Sequence, residues 1–479
     1  MRPRLPLPLT AFALLGVLAC GDEPSTAPTS PAATGAGGPS MAVTGGNGRH
    51  IVTYGNGGIP ADFTARVEAL GGTVPRTHPQ IGVAYADGLD AAGAAALATA
   101  TKAAQVFADP EVELQMPNAI SEAEPSESGI ESPTQPQTAF FFPRQWNMRA
   151  VGANLAWAAG RLGSPTVRVG ILDTGLDFTH LDLQGRVDLA ASRSFVPSDD
   201  ALVNQFFPGR PNWIDLHLHG THVGATVSSN AIAAAGVTSR VTLVAVKVLG
   251  ASGRSQGSSV LDGIMYAASP LGPDGAGVDV INMSLGGTFT KKAAPGFVSV
   301  INAAFNYAAS QGLTVVVSAG NSAFNLDQDK NGYKTYCNAP KVLCVSATGP
   351  SSQGSVNGPF NNIDAFALYS NFGRSAIDVA SPGGWGTLTA GVSFVFAACS
   401  RFSLLVPVCQ TGTFVIGVQG TSQAAPHVSG LAALLSETLG NDPDAIREAI
   451  LDGADDLGAS GTDPLYGKGR INIPASLGI

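Results

Sequence analysis

The sequence predicts an α/β protein built on a doubly wound, mostly parallel sheet with helices on both faces, preceded by a small α+β module. Three observations carry this expectation. Val167–Leu172, Thr242–Val248, Val278–Met283, Leu313–Ser318 and Val342–Ala347 are short β-branched runs, apolar without alternation. Such runs mark strands buried on both faces. Stretches of helical spacing lie among and after them, over Ser258–Ala268, Val298–Gln311 and Gln423–Thr438. Charged residues make up only 13% of the chain, and glycine accounts for 59 of its 479 residues. That composition suits a loop-rich globule with a sizeable core, not a disordered chain.

Taken in order, the chain opens on Arg2 and Arg4 followed by the apolar run Leu9–Ala19. The run is too short to cross a bilayer, so residues 1–19 read as a targeting segment. It ends Val17-Leu18-Ala19-Cys20, which resembles a bacterial lipoprotein signal; the resemblance implies acylation of Cys20 and a precursor held on the cell envelope. One acyl chain anchors only marginally, so several would be needed. Residues 20–48, rich in Gly, Pro, Ser, Thr and Ala, read as a flexible tether.

Over 49–116 a small domain is expected. His50–Tyr54, Gly82–Tyr85 and a last run, Val112–Met116, look like strands, with helices over Pro60–Leu70 and Ala91–Lys102. This suggests a split βαβ module in the order β-α-β-β-α-β. Residues 117–144, where Pro, Glu, Ser and Gln dominate at first, read as an exposed linker, and 145–479 as the main domain. Its last amphipathic helix, Pro443–Asp452, follows Asp442 as the expected N-cap.

The net charge of −9 speaks against a nucleic-acid partner. Apart from Cys20, the cysteines are Cys337, Cys344, Cys399 and Cys409, an even number in an exported chain. Three pairings are open, of which the local loops Cys337–Cys344 and Cys399–Cys409 are expected. No CxxC-type spacing suggests a metal site.

Three motifs carry chemistry. Ile171-Leu172-Asp173-Thr174-Gly175 ends the first buried strand with an aspartate; His219-Gly220-Thr221-His222-Val223 puts a histidine at a helix start; Gly420-Thr421-Ser422-Gln423-Ala424-Ala425-Pro426-His427-Val428 does the same for a serine. A serine hydroxyl is a weak nucleophile and needs a base. Histidine takes the proton and later returns it, and a carboxylate on the other ring nitrogen fixes the tautomer. Ser318-Ala319-Gly320-Asn321 follows another buried strand, and the Asn321 amide suits an oxyanion.

Blander readings stand beside these. A serine at a helix start is commonly an N-cap. Asp-Thr-Gly also marks aspartic proteases, but no second such turn occurs in the chain. His222 and His427 read as core histidines, His217 as no ligand, and Asp177 and Asp215 as turn residues.

The motifs together resemble the subtilisin-like serine proteases, from about Gln145 to the C-terminus, in that family's order of Asp, His and Ser. The resemblance implies a triad of Asp173, His219 and Ser422, with Asn321 and the Ser422 backbone N–H as oxyanion hole. It implies that Ser284-Leu285-Gly286 pairs with substrate backbone, and that Ser318-Ala319-Gly320 and the segment around Lys334 help to wall the pocket. The 49–116 module is then similar to the family's ferredoxin-like inhibitory propeptide. The implied partners are peptide substrates and this propeptide, the protein acting as a monomer with no cofactor for chemistry. Removing the module would free the enzyme from its lipid, making the membrane anchor transient.

There are departures from the family pattern. Gln423 replaces the methionine that follows the serine, and Gly224-Ala225 inverts the usual alanine-glycine. Asp182 matches a calcium ligand of the family, but the companion loop near Asn230 looks shortened. Asp327 and Asp329 begin a calcium-type loop whose twelfth position is Asn338 instead of glutamate. Structural calcium is therefore a hypothesis to test. A catalytically silent envelope module and an esterase are the alternatives to a peptidase; the silent module is disfavoured because every triad residue is present.

Overall fold

The computed structural model describes residues 48–55, 58–114, 120–126, 132–286, 295–329, 335–386 and 393–479, with the backbone of 289–290 and 332–333. The targeting segment, Cys20, the tether up to Asn47, Met116 and Lys334 lie outside the described residues. So do the linker positions 117–119 and 127–131.

In the central sheet, Ala365–Phe366, Val342–Gly349, Thr314–Ser318, Val280–Met283, Arg168–Asp173, Thr242–Lys247 and Arg193–Ser194 lie side by side, and Val379–Pro382 adds beside Val342–Gly349. Only the pairing of Ala365–Phe366 is antiparallel. The absence of alternation in these strands has a direct cause. Leu172, Val244, Val246, Val315 and Val317 fill one core, whereas Val169, Ile171, Leu243, Ala245 and Val316 fill the other. Each face is covered by helices, so both sets of side chains must be apolar.

Helices Gly257–Ala268 and Pro295–Ser310 pack on the first face. Thr421–Leu439 and His219–Val227 pack together on the second. Pro443–Asp452 begins as predicted, the Asp442 carboxylate accepting from the N–H groups of Asp444 and Ala445. From Arg168–Asp173 the chain adds strands outward in both directions, Thr242–Lys247 on one side and Val280–Met283 on the other. Such a reversal opens a crevice at the carboxyl ends of the strands. Asp173, Ser284 and Ser318 all fall there.

The N-terminal module is an antiparallel sheet in the order Thr77–His78, Val83–Asp87, Arg49–Thr53, Gln105–Ala108, with helices Phe63–Ala69 and Ala91–Thr101. Val52, Phe63, Val67, Ala84 and Leu97 make its own core, while Ile51, Val83 and Tyr85 point the other way into the main core. One expectation is corrected. The fourth strand is Gln105–Ala108; Glu111–Glu113 leaves the sheet and pairs antiparallel with Arg254–Gln256 of the main domain.

Asp109-Pro110 is the physical reason for that switch. Proline has no N–H to continue the ladder, and the Asp109 carboxylate instead accepts from the Ser258 N–H, capping helix Gly257–Ala268. Beside it the Asp262 carboxylate accepts from Tyr85 Oη at 2.8 Å and pairs with His78 Nε2 at 2.7 Å, across the same buried interface. The disulfides are the two local ones expected, Cys337–Cys344 and Cys399–Cys409. Among the described residues no helix is long and apolar enough to cross a membrane.

Candidate active site

Asp173 ends its strand at the crevice with its side chain fully buried, and His219 opens the helix alongside. The His219 Nδ1–H donates to the two Asp173 carboxylate oxygens at 2.8 and 3.0 Å. That bond leaves Nε2 as the free lone pair, and Nε2 is buried with no hydrogen-bond partner. A base held in one tautomer, with its basic nitrogen uncommitted, is ready to take a proton.

Asp215 builds the turn that presents His219. Its carboxylate accepts five hydrogen bonds, from the Thr174 and Thr221 hydroxyls and from the N–H groups of His217, Leu218 and Thr221. Gly220 N–H closes the ring by donating to Thr174 Oγ1. This network holds Leu218 at φ 151°, a conformation that a branched side chain rarely adopts. Asp215 therefore does more than an ordinary turn residue, while Asp177 is the turn residue expected, accepting from Thr179, His180 and Arg401 N–H groups.

Lys247 was not singled out by the sequence reading. It is completely buried, pairs with Asp199 at 2.9 Å and donates to the Thr174 carbonyl. The signal was a lysine ending an otherwise apolar strand, a position that demands a buried partner.

Ser422 is the second residue of helix Thr421–Leu439, which also contains Pro426. Proline cannot donate to the carbonyl four residues back, so the Ser422 C=O is left free. Ser284 Oγ takes that carbonyl at 2.7 Å, and in return Ser422 Oγ donates to the Ser284 carbonyl at 3.0 Å. The hydroxyl thus points at Ser284 and not at His219. Asn321 Oδ1 accepts from both the N–H and the hydroxyl of Thr421 at 2.9 Å, which fixes the orientation of its amide beside the serine turn. Gly320 N–H donates to Thr421 Oγ1, tying Ser318-Ala319-Gly320 to the same turn. Leu285 and Gly286 continue the buried edge from Ser284.

His222 and His427 are held as buried structural rings. Burial lowers the His222 pKa to about 3 and that of His427 to about 4, so both rings are neutral. His222 Nε2 donates to the Val395 carbonyl; His427 Nδ1 donates to the Gln423 carbonyl and its Nε2 accepts from Asn147. His217 is pushed to about 4, again mainly by burial. Gln423 is fully buried, and neither its side-chain oxygen nor its nitrogen has a partner.

Two of the calcium candidates, Asp182 and Asp327, have their carboxylates taken up by protein donors. The Asp182 carboxylate accepts from the N–H groups of Ile232, Ala233 and Ala234 at 2.9, 2.9 and 3.0 Å, so the short loop after Asn230 closes directly on it. Asp327 spends both oxygens on Arg374 and Ser375. Asp329 is buried just beyond, whereas Asn338 belongs to a separate turn, Tyr336–Asn338. Among the described residues no cluster of three or more His, Cys, Asp or Glu could hold a metal.

A buried Asp–His pair, a serine at a neighbouring helix start and a doubly wound sheet define a serine hydrolase. The chain belongs to the subtilase family, whose pattern matches residues 164–469. It is 32% identical over 340 residues to thermitase from Thermoactinomyces vulgaris, covering 70% of this chain and 97% of that one. It is 30% identical over 334 residues to subtilisin BL from Lederbergia lenta, covering 69% and 97%. An epidermin leader peptide processing serine protease from Staphylococcus aureus shares the fold at a TM-score of 0.66 and 21% identity, covering 90% of this chain and 98% of that one. The protein is a subtilisin-like serine endopeptidase acting on peptide substrates, in a family whose chemistry needs no cofactor.

Proposed function

We propose that this chain is an exported serine endopeptidase made as a self-inhibited precursor, with Asp173, His219 and Ser422 as its triad. The observation that carries the reading is the buried Asp173–His219 pair, whose free Nε2 lies at the start of a helix packed against the one bearing Ser422. In the reaction, Ser422 Oγ turns from Ser284 and attacks the scissile carbonyl while its proton passes to His219 Nε2. Asp173 steadies the imidazolium. The oxyanion is met by the Asn321 amide and the Ser422 backbone N–H. Collapse expels the amine, which takes the proton from Nε2, and water then hydrolyses the acyl-enzyme by the same relay.

Ser284-Leu285-Gly286 pairs with substrate backbone, and Ser318-Ala319-Gly320 lines the pocket. The 49–116 module is the inhibitory propeptide, a role supported by its strand on Arg254–Gln256 and its cap on helix Gly257–Ala268. Cys20 is the acylated anchor of the precursor, lost with the propeptide, after which the enzyme acts as a monomer outside the cell.

Expression of wild-type and Ser422→Ala chains, with N-terminal sequencing of membrane and soluble fractions, tests this reading. Wild type is expected soluble, shortened past the module and active on casein; Ser422→Ala is expected full-length, acylated and inert. A Ser422→Ala chain that matures and digests casein like wild type would sink the proposal, and active enzyme still joined to Cys20 would sink its anchoring part.

A further inference from the structure

Between the strands Val395–Cys399 and Phe414–Val418 the chain makes an excursion whose first part the Cys399–Cys409 disulfide closes into a loop. Both cysteines are fully buried, and so are the two serines inside the loop, Ser400 and Ser403. Buried hydroxyls need partners, and these two find theirs on the segment that precedes His219. Ser400 Oγ donates to the Asp215 carbonyl at 2.6 Å, and Ser403 Oγ donates to the His217 carbonyl. Between them the Leu404 N–H donates to the Leu216 carbonyl at 2.8 Å. Each hydroxyl has a single proton to give, and its oxygen also accepts from the loop itself. Ser400 Oγ takes the Phe402 N–H at 3.1 Å, and Ser403 Oγ takes the Val406 N–H at 3.0 Å.

Packing completes the grip. Phe402 enters a cluster with Val203, Ile214 and Leu216, while Leu218 shares a cluster with Cys399 and Cys409 themselves. Four successive residues, Asp215 to Leu218, are thus held from the loop side. The Asp215 carboxylate holds the N–H groups of the same turn, those of His217, Leu218 and Thr221. The two sets of bonds use opposite polar groups of one backbone, so neither replaces the other. A backbone strained like that of Leu218, at φ 151°, persists only where its surroundings over-determine it. His219 is the next residue.

Resting on the reading of His219 as general base, we infer that Ser400 and Ser403 are positioning residues for that base, braced by the Cys399–Cys409 disulfide. Neither hydroxyl belongs to the relay; both act through the backbone, by fixing where the imidazole stands. A loop that only stabilised the domain would alter the denaturation midpoint and leave turnover per folded molecule alone.

The test compares the pairs Ser400→Ala/Ser403→Ala and Cys399→Ala/Cys409→Ala with wild type and with Ser346→Ala. Ser346 is equally buried, and its hydroxyl donates to the Leu465 carbonyl at 2.7 Å, with no bond to the His219 turn. In the turnover arm each full chain is expressed, and kcat and KM for a peptide substrate are measured per titrated active site. Both pairs should lose about tenfold in kcat at unchanged KM, while Ser346→Ala keeps the wild-type kcat. In the placement arm the same substitutions are made in the Ser422→Ala chain, and the His219 Nδ1–H proton is followed by NMR. Its resonance should shift or broaden in both pairs and stay in place in Ser346→Ala. Should the serine pair fail to fold, Ser403→Ala alone carries both arms, with a smaller change in the same direction. Wild-type kcat in the serine variants, or an unmoved resonance, overturns the inference. The resonance reads the placement of His219 whether or not the protein cleaves anything. Fluorophosphonate labelling of Ser422 in the active chain reports separately on the peptidase reading.

Discussion

The helices bearing His219 and Ser422 begin side by side, yet they are held in opposite ways. The His219 turn is organised by one buried charge, Asp215, whose five hydrogen bonds lock the backbone into a strained shape. The Ser422 turn has no charge; it rests on neutral bonds, the Asn321 amide oxygen accepting from Thr421 and the exchange with Ser284, and leaves Gln423 unpaired. Charge-assisted bonds are the stronger kind. On the proposed triad, the base is therefore fixed while the nucleophile keeps a hydroxyl that can rotate, which a relay requires of its two partners.

Removing the charge should break this contrast most severely. Asp215→Ala strands several buried donors at once, a loss of about 4 kcal/mol in stability by the usual penalty for unsatisfied groups. Misplacement of His219 should also lower kcat about a hundredfold with KM little changed. Chemical denaturation and steady-state kinetics on a peptide substrate check both. If kcat per folded molecule stays at the wild-type value, Asp215 stabilises the domain without positioning the base.

Besides His219, each helix carries one buried neutral histidine, so acid tests both arms together. His222 and His427 bind protons in the unfolded chain near pH 6.5 but in the folded one only near 3 and 4. Their folded pKa values are depressed, so neither affects stability above about pH 6.5. As pH falls below that value the unfolded state takes up protons first and stability drops, levelling only near the folded values. The slope should be about 1.4 kcal/mol per pH unit for each ring. Denaturation midpoints between pH 7 and 4.5 measure it, and His427→Gln should halve the contribution of the pair. A flat profile would show that these rings are accessible to protons in the folded state.

How much of this was legible in the sequence divides along the same line. The strands were readable because Ile171 and Leu172, or Val316 and Val317, must be apolar for opposite cores. Asp173, His219 and Ser422 stand out in the sequence because their residue types suit one chemistry at strand ends and helix starts. What stayed hidden depends on partners remote in the chain. Nothing local distinguishes Asp215, which gathers five donors, from Asp177, which caps a turn. Asp182 matched a metal ligand by position, yet three backbone N–H groups reach it from a loop some fifty residues later, as the separations of 50, 51 and 52 show. Val112 looked like the last strand of its module because its apolar character fits either sheet. The proline before it decided between them.

The smallest effect expected concerns Gln423, and it sharpens the comparison from the other side. On the serine arm, position 423, where the family resemblance leads one to expect methionine, is a buried amide with no partner. Leaving an amide unsatisfied costs about 1–3 kcal/mol, and an unbranched apolar side chain of similar volume removes that penalty. Gln423→Met should therefore raise stability by about 1–3 kcal/mol, read as a higher denaturation midpoint at an unchanged slope. Turnover should change little, because neither the Ser284 exchange nor the Thr421–Asn321 bonds involve the Gln423 side chain. A variant that gains stability but loses kcat would mean that the unpaired amide keeps the Ser422 turn loose enough to rotate. The two arms would then differ by functional need and not only by how each is held.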